Sequence, residues 1–262
     1  MATRLPVDGT EVRVSVRGEV PAGTVRYAED RIRSLAGQVG QVGLAGVRVR
    51  LVRVKLTAPV GAAAPRPVVA QANLDLAGVP MRVQVAAGTA REAIDALRDA
   101  LATRLARANR GGSPPTGQPG GTEPAGMRPD HLPRTAQQAE ITRRKTVRPA
   151  VRTVDGAAAE MDRMDYDFHL FVEAGTGQDS VLCRAPGALR LEQAYPRLDR
   201  IVHGAVPVRV GTGPAPRLTV ADAVGTLDRC AAPYLFFVDA ECGRGRVLYR
   251  RYDGQYGLIT AA

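Results

Sequence analysis

The sequence predicts an α+β protein with an N-terminal βαβββα domain, a flexible linker and tandem small α/β-hairpin modules. Apolar residues recur at strand and helix periods through residues 1–110, and glycine and proline dominate residues 111–140. The rest of the chain repeats itself at an offset of 66 residues. We therefore expect a domain over 1–110, a linker over 111–140, and two modules over 141–195 and 196–262.

The first three elements of the front domain follow from the spacing of apolar residues. From Val12 to Val16, valines alternate with polar residues, which indicates a strand. The range Thr24–Gln38 carries apolar residues at helical spacing, which predicts a helix with its first residue as the N-cap. Residues 47–56 predict a second strand, and a change of phase between Leu51 and Val52 favours a β-bulge there.

A hairpin and a second helix complete this domain. Residues 69–76 and 79–85 predict two strands that are joined at Ala77-Gly78. The range Thr89–Asn109 predicts a helix, again capped by its first residue, with its apolar side chains on one stripe. The order βαβββα therefore predicts a four-stranded sheet with two helices on one face.

The segment over 111–140 is predicted to be a flexible linker. It is rich in glycine, proline, serine and threonine and has few apolar residues. Such a segment cannot bury enough apolar surface to offset the entropy of ordering its backbone, so we expect no packed structure there.

The C-terminal part contains an internal repeat. Residues 152–184 align without a gap with residues 218–250, and 12 of the 33 pairs are identical. Each copy predicts a helix and a hairpin, which together are too small to bury a full core. We therefore expect each copy to associate with another, although a purely structural duplication is the alternative. The predicted module-pairing residues are Phe168, Leu170, Phe171, Tyr234, Phe236, Phe237, Tyr249, Tyr252 and Tyr256.

Basic charge is concentrated in the front half of the chain. The net charge is +10, of which residues 1–110 carry +8, residues 111–152 carry +4 and residues 153–262 carry −2. This distribution favours a polyanion as the partner, although a solvated basic surface is the alternative. Because the outer sheet face lacks aromatic residues, we expect recognition of RNA backbone and shape rather than base stacking. The predicted RNA-binding residues are Arg13, Arg17, Arg26, Arg33, Arg48, Arg50, Arg53, Lys55, Arg82, Arg91, Arg98, Arg104, Arg107 and Arg110, with Arg143, Arg144 and Lys145 as a candidate addition.

Other classes of protein find little support in the sequence. The cysteines, Cys183, Cys230 and Cys242, form no C-x-x-C pair, so we expect no zinc site or disulfide framework and a reducing, cytoplasmic environment. No histidine belongs to a nucleophile motif, and there is no phosphate-binding loop, so we expect neither an enzyme nor a cofactor or small-molecule substrate. No apolar window of about 18 residues predicts a membrane span.

Three segments together resemble one known family. Residues 249–259, YRRYDGQYGLI, resemble the Y-R-R-x-D-G-x-Y-G-L-I ending of long-form ribosome hibernation-promoting factors. Residues 234–240, YLFFVDA, resemble their F-F-x-F-x-x-A strand, and residues 93–95, AID, resemble the start of their second-helix motif. The resemblance covers nearly the whole chain outside the linker, and its C-terminal motif is specific.

The resemblance implies a function. In this family the front domain is expected to bind the decoding region of the 30S subunit through 16S rRNA, where it blocks mRNA and tRNA. Arg107 stands at the family's last Lys/Arg position of the second helix, and Arg104 stands at its glutamine position. Ala100 replaces a lysine of the family, so one expected phosphate contact is absent.

In the family, a single C-terminal module pairs two molecules and thereby joins two ribosomes into a 100S particle. This chain departs from that arrangement, because its module is duplicated. The chain is similar to two-copy actinobacterial forms that are linked to hypoxia or dormancy. We expect its modules to pair within one chain as a pseudo-dimer, because an intramolecular partner has a high effective concentration. The hypothesis is then a stress-response translation inhibitor that stabilises idle 70S monosomes. Two alternatives stay open, a protein–protein adaptor acting through the tandem module and a general binder of double-stranded RNA.

Overall fold

The computed structural model describes most of the chain in two compact units. The first contains the described residues of 10–109 together with 163–165, and the second contains those of 140–162 and 166–262. Each unit is described by itself below. The candidate residues Arg48, Arg50, Arg110 and Tyr252 lie outside the described residues, as does all but the last residue of the segment predicted as a linker. The described residues are 10–41, 49, 51–58, 66–76, 78–109, 140–185, 187–202, 204–230, 232–251 and 254–262.

The front unit has the predicted order βαβββα. Its sheet runs β1-β2-β3-β4, with β1 parallel to β2 and the remaining neighbours antiparallel. Its elements are β1 (Glu11–Gly18), α1 (Thr24–Gln41), β2 (Leu51–Ala58), β3 (Val68–Leu76), β4 (Val79–Ala87) and α2 (Ala90–Asn109). Gly78, at the β3–β4 turn, has φ +88°, a conformation that glycine adopts without steric cost.

The two helices cover one face of this sheet. Ile32 of α1 and Ile94 and Leu97 of α2 are buried against Val54 and Leu56 of β2 in a single apolar cluster. Burying each such side chain stabilises the unit by about 1.5–3 kcal/mol. Because side chains alternate along a strand, the residues between these core positions must lie on the opposite, outer face of the sheet.

Two local expectations about the front unit are wrong. The pairing of β2 with β1 is regular from Leu51 onward, so no bulge separates Leu51 from Val52. Leu51 lies on the outer face and is only half-buried, which explains the apparent change of phase. Thr24 is not the N-cap of α1, because the carbonyl of Gly23 accepts the first helical bond, from the amide of Tyr27 (2.9 Å), and the Thr24 hydroxyl donates to the carbonyl of Pro21 (2.6 Å). Thr89 does cap α2, since its hydroxyl accepts from the amide of Glu92, whose carboxylate accepts from the amide of Thr89 (both 3.2 Å).

The C-terminal unit contains two five-stranded sheets, each with one helix on its outer side. The sheets run β10-β9-β8-β7-β6 and β11-β12-β13-β14-β5. The first copy contributes β5 (Ile141–Val147), β6 (Val151–Arg152), α3 (Val154–Arg163), β7 (Phe168–Glu173), β8 (Asp179–Ala185) and β9 (Ala188–Gln193). The second copy contributes β10 (Val208–Val210), β11 (Arg217–Leu218), α4 (Val220–Arg229), β12 (Tyr234–Asp239), β13 (Gly245–Arg250) and β14 (Tyr256–Ala261).

The two copies exchange their first strands. Strand β5, the first strand of the first copy, pairs in parallel with β14 of the second copy. Strand β10, the first strand of the second copy, pairs in parallel with β9 of the first. Each sheet therefore contains a strand from the other copy, and neither sheet is confined to one of the segments expected from sequence, 141–195 and 196–262. We call the sheet of β6–β10 with α3 module 1, and the sheet of β11–β14 and β5 with α4 module 2.

Candidate nucleic-acid interface and module interface

A row of basic side chains crosses the outer face of the front sheet. Strand pairing places Arg13 of β1 beside Arg53 of β2. The row continues through Asn73 of β3 to Arg82 of β4. Arg13 and Arg53 are exposed, Arg82 is half-buried, and the carboxylate of Glu11 lies 2.6 Å from Nε of Arg13. Neighbouring strands are only about 4.8 Å apart, so like charges in such a row repel and do not stabilise the fold.

Two further cations extend this face. Lys55 lies beside Ser15 in the next cross-strand row, and Arg17 lies two residues farther along β1. Both cations are exposed. We call Arg13, Arg17, Arg53 and Lys55 the basic sheet face. Their guanidinium and ammonium groups present donors on one side of a rigid sheet, an arrangement suited to phosphate oxygens.

The helices carry the remaining predicted cations, and several of these interact with acids of the same helix. Arg33 of α1 lies 3.2 Å from Asp30, and Arg98 of α2 lies 2.6 Å from Asp99. These ion pairs leave less net charge for a partner. Arg26 and Arg91 are exposed, whereas Arg98, Arg104 and Arg107 are half-buried on α2. Ala100, where the family resemblance leads one to expect a lysine, is buried in the front core.

A charged cluster that the sequence did not predict joins α1 to α2. The Tyr27 hydroxyl donates to the carboxylate of Asp95 (2.8 Å), and Nε of Arg31 donates to the same group (2.8 Å). The guanidinium of Arg91 lies 4.6 Å from the centroid of the Tyr27 ring, within cation–π range. Burial opposes ionisation of Asp95, but hydrogen bonds from Tyr27 and Arg31 outweigh it and lower the pKa of this carboxyl. The cluster fixes Arg91, a predicted RNA-binding residue, against α1.

The surface between modules 1 and 2 contains five of the residues that the sequence predicted for pairing. Phe168 and Leu170 of β7 and Tyr234 and Phe236 of β12 belong to one apolar cluster shared by both sheets. The Phe168 ring lies 5.0 Å from the Tyr234 ring and 5.5 Å from the Tyr249 ring, between centroids. Further members of the cluster that the sequence did not predict are Val181, Cys183, Val238 and Val247.

Three other residues predicted for pairing lie elsewhere. Phe171 packs beneath α3 in module 1, and Phe237 and Tyr256 pack beneath α4 in module 2. The reason is the alternation of strand side chains, which sends Phe171 to the opposite face from Leu170. These three side chains build the cores of the modules and not the surface between them.

An ion pair between the buried Asp179 and Arg244, whose side chain is 40% exposed, joins the modules and was also absent from the sequence predictions. Nε and Nη2 of Arg244 donate to the two carboxylate oxygens of Asp179, at 2.8 and 3.1 Å. The amide of Gly245 donates to the same carboxylate (2.8 Å). The Asp179 side chain is 8% exposed. A bidentate pair of this kind fixes orientation as well as supplying energy.

The motif at residues 249–259 has a structural explanation. Tyr249 pairs with Gly257 across β13 and β14, and a Cβ at position 257 would overlap the Tyr249 ring. Arg250 donates to the carbonyls of Leu227 (2.6 Å) and Cys230 (3.1 Å), at the end of α4, where a cation is favoured by the helix dipole. The hydroxyl of Tyr256 is hydrogen-bonded to Asp228. The motif therefore ties the last two long strands to α4.

Other kinds of site are not seen in the part of the chain that the structure describes. No group of three or more histidine, cysteine, aspartate or glutamate side chains there could hold a metal ion. The described helices include none that is both long and apolar enough to cross a membrane. The three cysteines are free, and Cys183 is buried.

Comparison with known proteins gives matches for both parts of the chain. A model of the family described as "Sigma 54 modulation/S30EA ribosomal protein C terminus" matches residues 136–188 and again residues 208–258. Two curated relatives, each named "Dormancy associated translation inhibitor", come from Mycobacterium tuberculosis strains CDC 1551 / Oshkosh and ATCC 25618 / H37Rv. Each is 39% identical over 226 residues, which cover 82% of this chain and 76% of the relative.

Two solved structures are similar over 38% of this chain and 99% of their own length, each with a TM-score of 0.29. One is a ribosomal subunit interface protein from Coxiella burnetii, at 12% identity, and the other is the N-terminal domain of Thermus thermophilus Protein Y, at 19% identity.

Proposed function

Because the chain belongs to the Sigma 54 modulation/S30EA ribosomal protein family, we propose that it binds the ribosome and inhibits translation. The front unit makes the contact, at the decoding region of the 30S subunit, and excludes mRNA and tRNA. The observation that carries this proposal is the basic sheet face. Arg13 and Arg53 lie side by side there although their like charges repel, as expected of a surface selected for binding phosphates.

The residues of the basic sheet face favour one mode of RNA recognition. The basic sheet face presents cations at strand spacing and has no aromatic residue among its cross-strand neighbours. Single-strand readers stack bases on aromatic side chains, which this face does not offer. The proposed contact is therefore with the backbone of folded 16S rRNA, through charge and shape.

The proposed role of the C-terminal unit is to keep the ribosome as a single 70S particle. A module that pairs between chains would join two ribosomes, whereas modules that pair within one chain leave no such surface open. The apolar cluster and the Asp179–Arg244 ion pair support pairing within the chain, as does the exchange of β5 and β10. The intramolecular partner has an effective concentration of about a millimolar, well above that of a second molecule. The resulting 70S particle would be idle in the cytoplasm under hypoxia or dormancy.

Sedimentation with purified ribosomes tests both parts of this proposal. The full chain is mixed with 30S, 50S and 70S particles and run through sucrose gradients, and translation of a reporter mRNA is measured in parallel. We expect the protein to migrate with 30S and 70S particles, to reduce reporter synthesis, and to produce no 100S peak. Migration with 50S particles alone contradicts the decoding-region contact, and a 100S peak contradicts pairing within the chain.

Two controls separate this function from the alternatives that the sequence leaves open. Binding through several phosphate contacts must weaken steeply between 50 and 200 mM salt, whereas an adaptor contact between proteins need not. An excess of an arbitrary RNA duplex should fail to compete with 30S particles. Effective competition would favour a general binder of double-stranded RNA.

A further inference from the structure

Equivalent residues of the two modules contact each other at the centre of their interface. The repeat relates Phe168 to Tyr234, and their rings are 5.0 Å apart. The same offset relates Asp179 to Gly245, and the amide of Gly245 donates to the Asp179 carboxylate. Residues contact their own equivalents only near a two-fold axis. An approximate two-fold axis between the modules therefore passes close to both pairs.

The pair of Asp179 and Gly245 at this axis is not symmetric. A Cβ built on Gly245 would lie 2.7 Å from the Cβ of Asp179 and 3.0 Å from the Phe236 ring, so there is space for one side chain only. Gly245 has no positive φ, so lack of space rather than backbone conformation favours glycine there. The preceding residues differ as well, because module 2 has Arg244 where module 1 has Gln178.

Pairing of like modules would lose this complementarity. Two copies of module 1 would bring two Asp179 side chains into a space that holds one, with Gln178 in place of the arginine. Two copies of module 2 would place two Arg244 side chains together without a carboxylate and would leave the space of the aspartate empty. In the first case the buried Asp179 carboxylate loses its charged partner, and in the second case an unfilled volume is left, so both pairings are destabilised.

We infer that Gln178-Asp179 and Arg244-Gly245 are a matched pair that restricts association to module 1 with module 2. The partner selected by each module is the other module of the same chain, and like-with-like association with a second copy of the chain is rejected. The inference rests on the pairing within one chain proposed above and names the residues that make it specific. Divergence at these two positions turns a duplicated, self-complementary surface into two surfaces that fit only each other.

Exchange of the two dipeptides in the full-length protein tests the inference. The variant Q178R/D179G gives both modules Arg-Gly, and the variant R244Q/G245D gives both modules Gln-Asp. We expect each to lower the Tm of the C-terminal unit by about 4 °C or more, because a bidentate ion pair to the buried Asp179 carboxylate is lost. The variant with all four changes restores one arginine, one aspartate and one glycine at the axis with reversed polarity, so it should recover most of the loss.

A mixing experiment measures directly which module pairs with which. The two double variants are refolded together and separately, and their masses are measured by sedimentation velocity. Each variant alone should remain monomeric or unfolded, whereas the mixture should form a 1:1 heterodimer, since an Arg-Gly module of one chain fits a Gln-Asp module of the other. The inference is overturned if the mixture contains no heterodimer while the four-change variant is no more stable than the weaker double variant. Should both double variants fail to fold, the four-change variant decides the question by its own Tm.

Ribosome binding separates this inference from the proposed function. The basic sheet face is untouched in all three variants, so folded variants should still sediment with 30S particles. Loss of that binding in the folded four-change variant would contradict the proposed function without bearing on module specificity.

Discussion

The double substitution R13Q/R53Q removes the centre of the basic sheet face and should weaken ribosome binding in a salt-dependent manner. Both side chains are exposed and belong to adjacent strands in register. Glutamine keeps their approximate length and polarity and removes two charges. Because like charges side by side repel, the substitution should leave the Tm of the front unit unchanged or slightly raised.

The magnitude follows from the number of cations on this face. Each phosphate contact contributes about 0.7–0.9 to the slope of log K against log salt. The four exposed cations Arg13, Arg17, Arg53 and Lys55 would then give a slope of about −3, and affinity would fall about 60-fold between 50 and 200 mM salt. With two of them removed, the slope should be about −1.6 and the fall about 9-fold.

Binding to 30S particles, measured by co-sedimentation over this range of salt, gives both slopes. The matched control is R197Q/R209Q, which removes two exposed arginines from the C-terminal unit and should leave the slope near that of the unchanged protein. An equal loss of slope in R13Q/R53Q and in this control would refute the reasoning. So would an unchanged slope in R13Q/R53Q.

Three further predictions concern stability. D95N should destabilise the front unit by about 1–2 kcal/mol in urea unfolding, because Tyr27 and Arg31 lose a charged acceptor. Since the pKa of Asp95 is lowered on folding, its contribution is present above pH ~4 and is lost as pH falls further, so the difference between the two proteins should shrink as pH falls below ~4. G257A should lower the stability of the C-terminal unit by about 1–3 kcal/mol, because its Cβ overlaps the Tyr249 ring, and an unchanged Tm would contradict this packing. Burial raises the pKa of Cys183, and burial together with a hydrogen bond to Asp228 raises the pKa of Tyr256 to about 12. The stability of the C-terminal unit should therefore fall as pH rises from about 9 to 12, and a Tm that stays constant across that range would contradict this.

The front unit could be predicted from sequence because its sheet has one apolar and one polar face. Val12, Val52 and Val54 alternate with cations, and this alternation fixes both the strands and the outer face. The error at Leu51 arose where an apolar residue lies on the outer face. The cluster of Asp95 with Arg31 could not be predicted, since it joins residues 64 positions apart on two helices. Membership of the family, expected from residues 249–259, is confirmed by the match of the family model to both copies and by the mycobacterial relatives.

The C-terminal unit was harder to predict because its strands are buried on both faces. In β7, Leu170 and Phe171 are both apolar, yet one packs against module 2 and the other beneath α3. When polar and apolar residues do not alternate along a strand, its sequence does not indicate which face packs against which neighbouring element. The exchanged strand β5 was assigned to its neighbour in sequence, whereas it pairs with β14, more than 100 residues later. No local sequence pattern indicates which distant strand β5 will pair with.

If the chain acts as proposed, the exchange of strands would also explain how it avoids joining two ribosomes after its module has been duplicated. Separation of the modules requires β5 to leave β14, with six paired residues, and β10 to leave β9, with three. Association with a second molecule must therefore begin with loss of backbone pairing in both sheets. Since the equivalent strands of the same chain are always nearby, they re-pair before a second molecule arrives. The exchanged strands thus oppose trans pairing kinetically, and the asymmetric pair Asp179 and Gly245 opposes like-module pairing energetically.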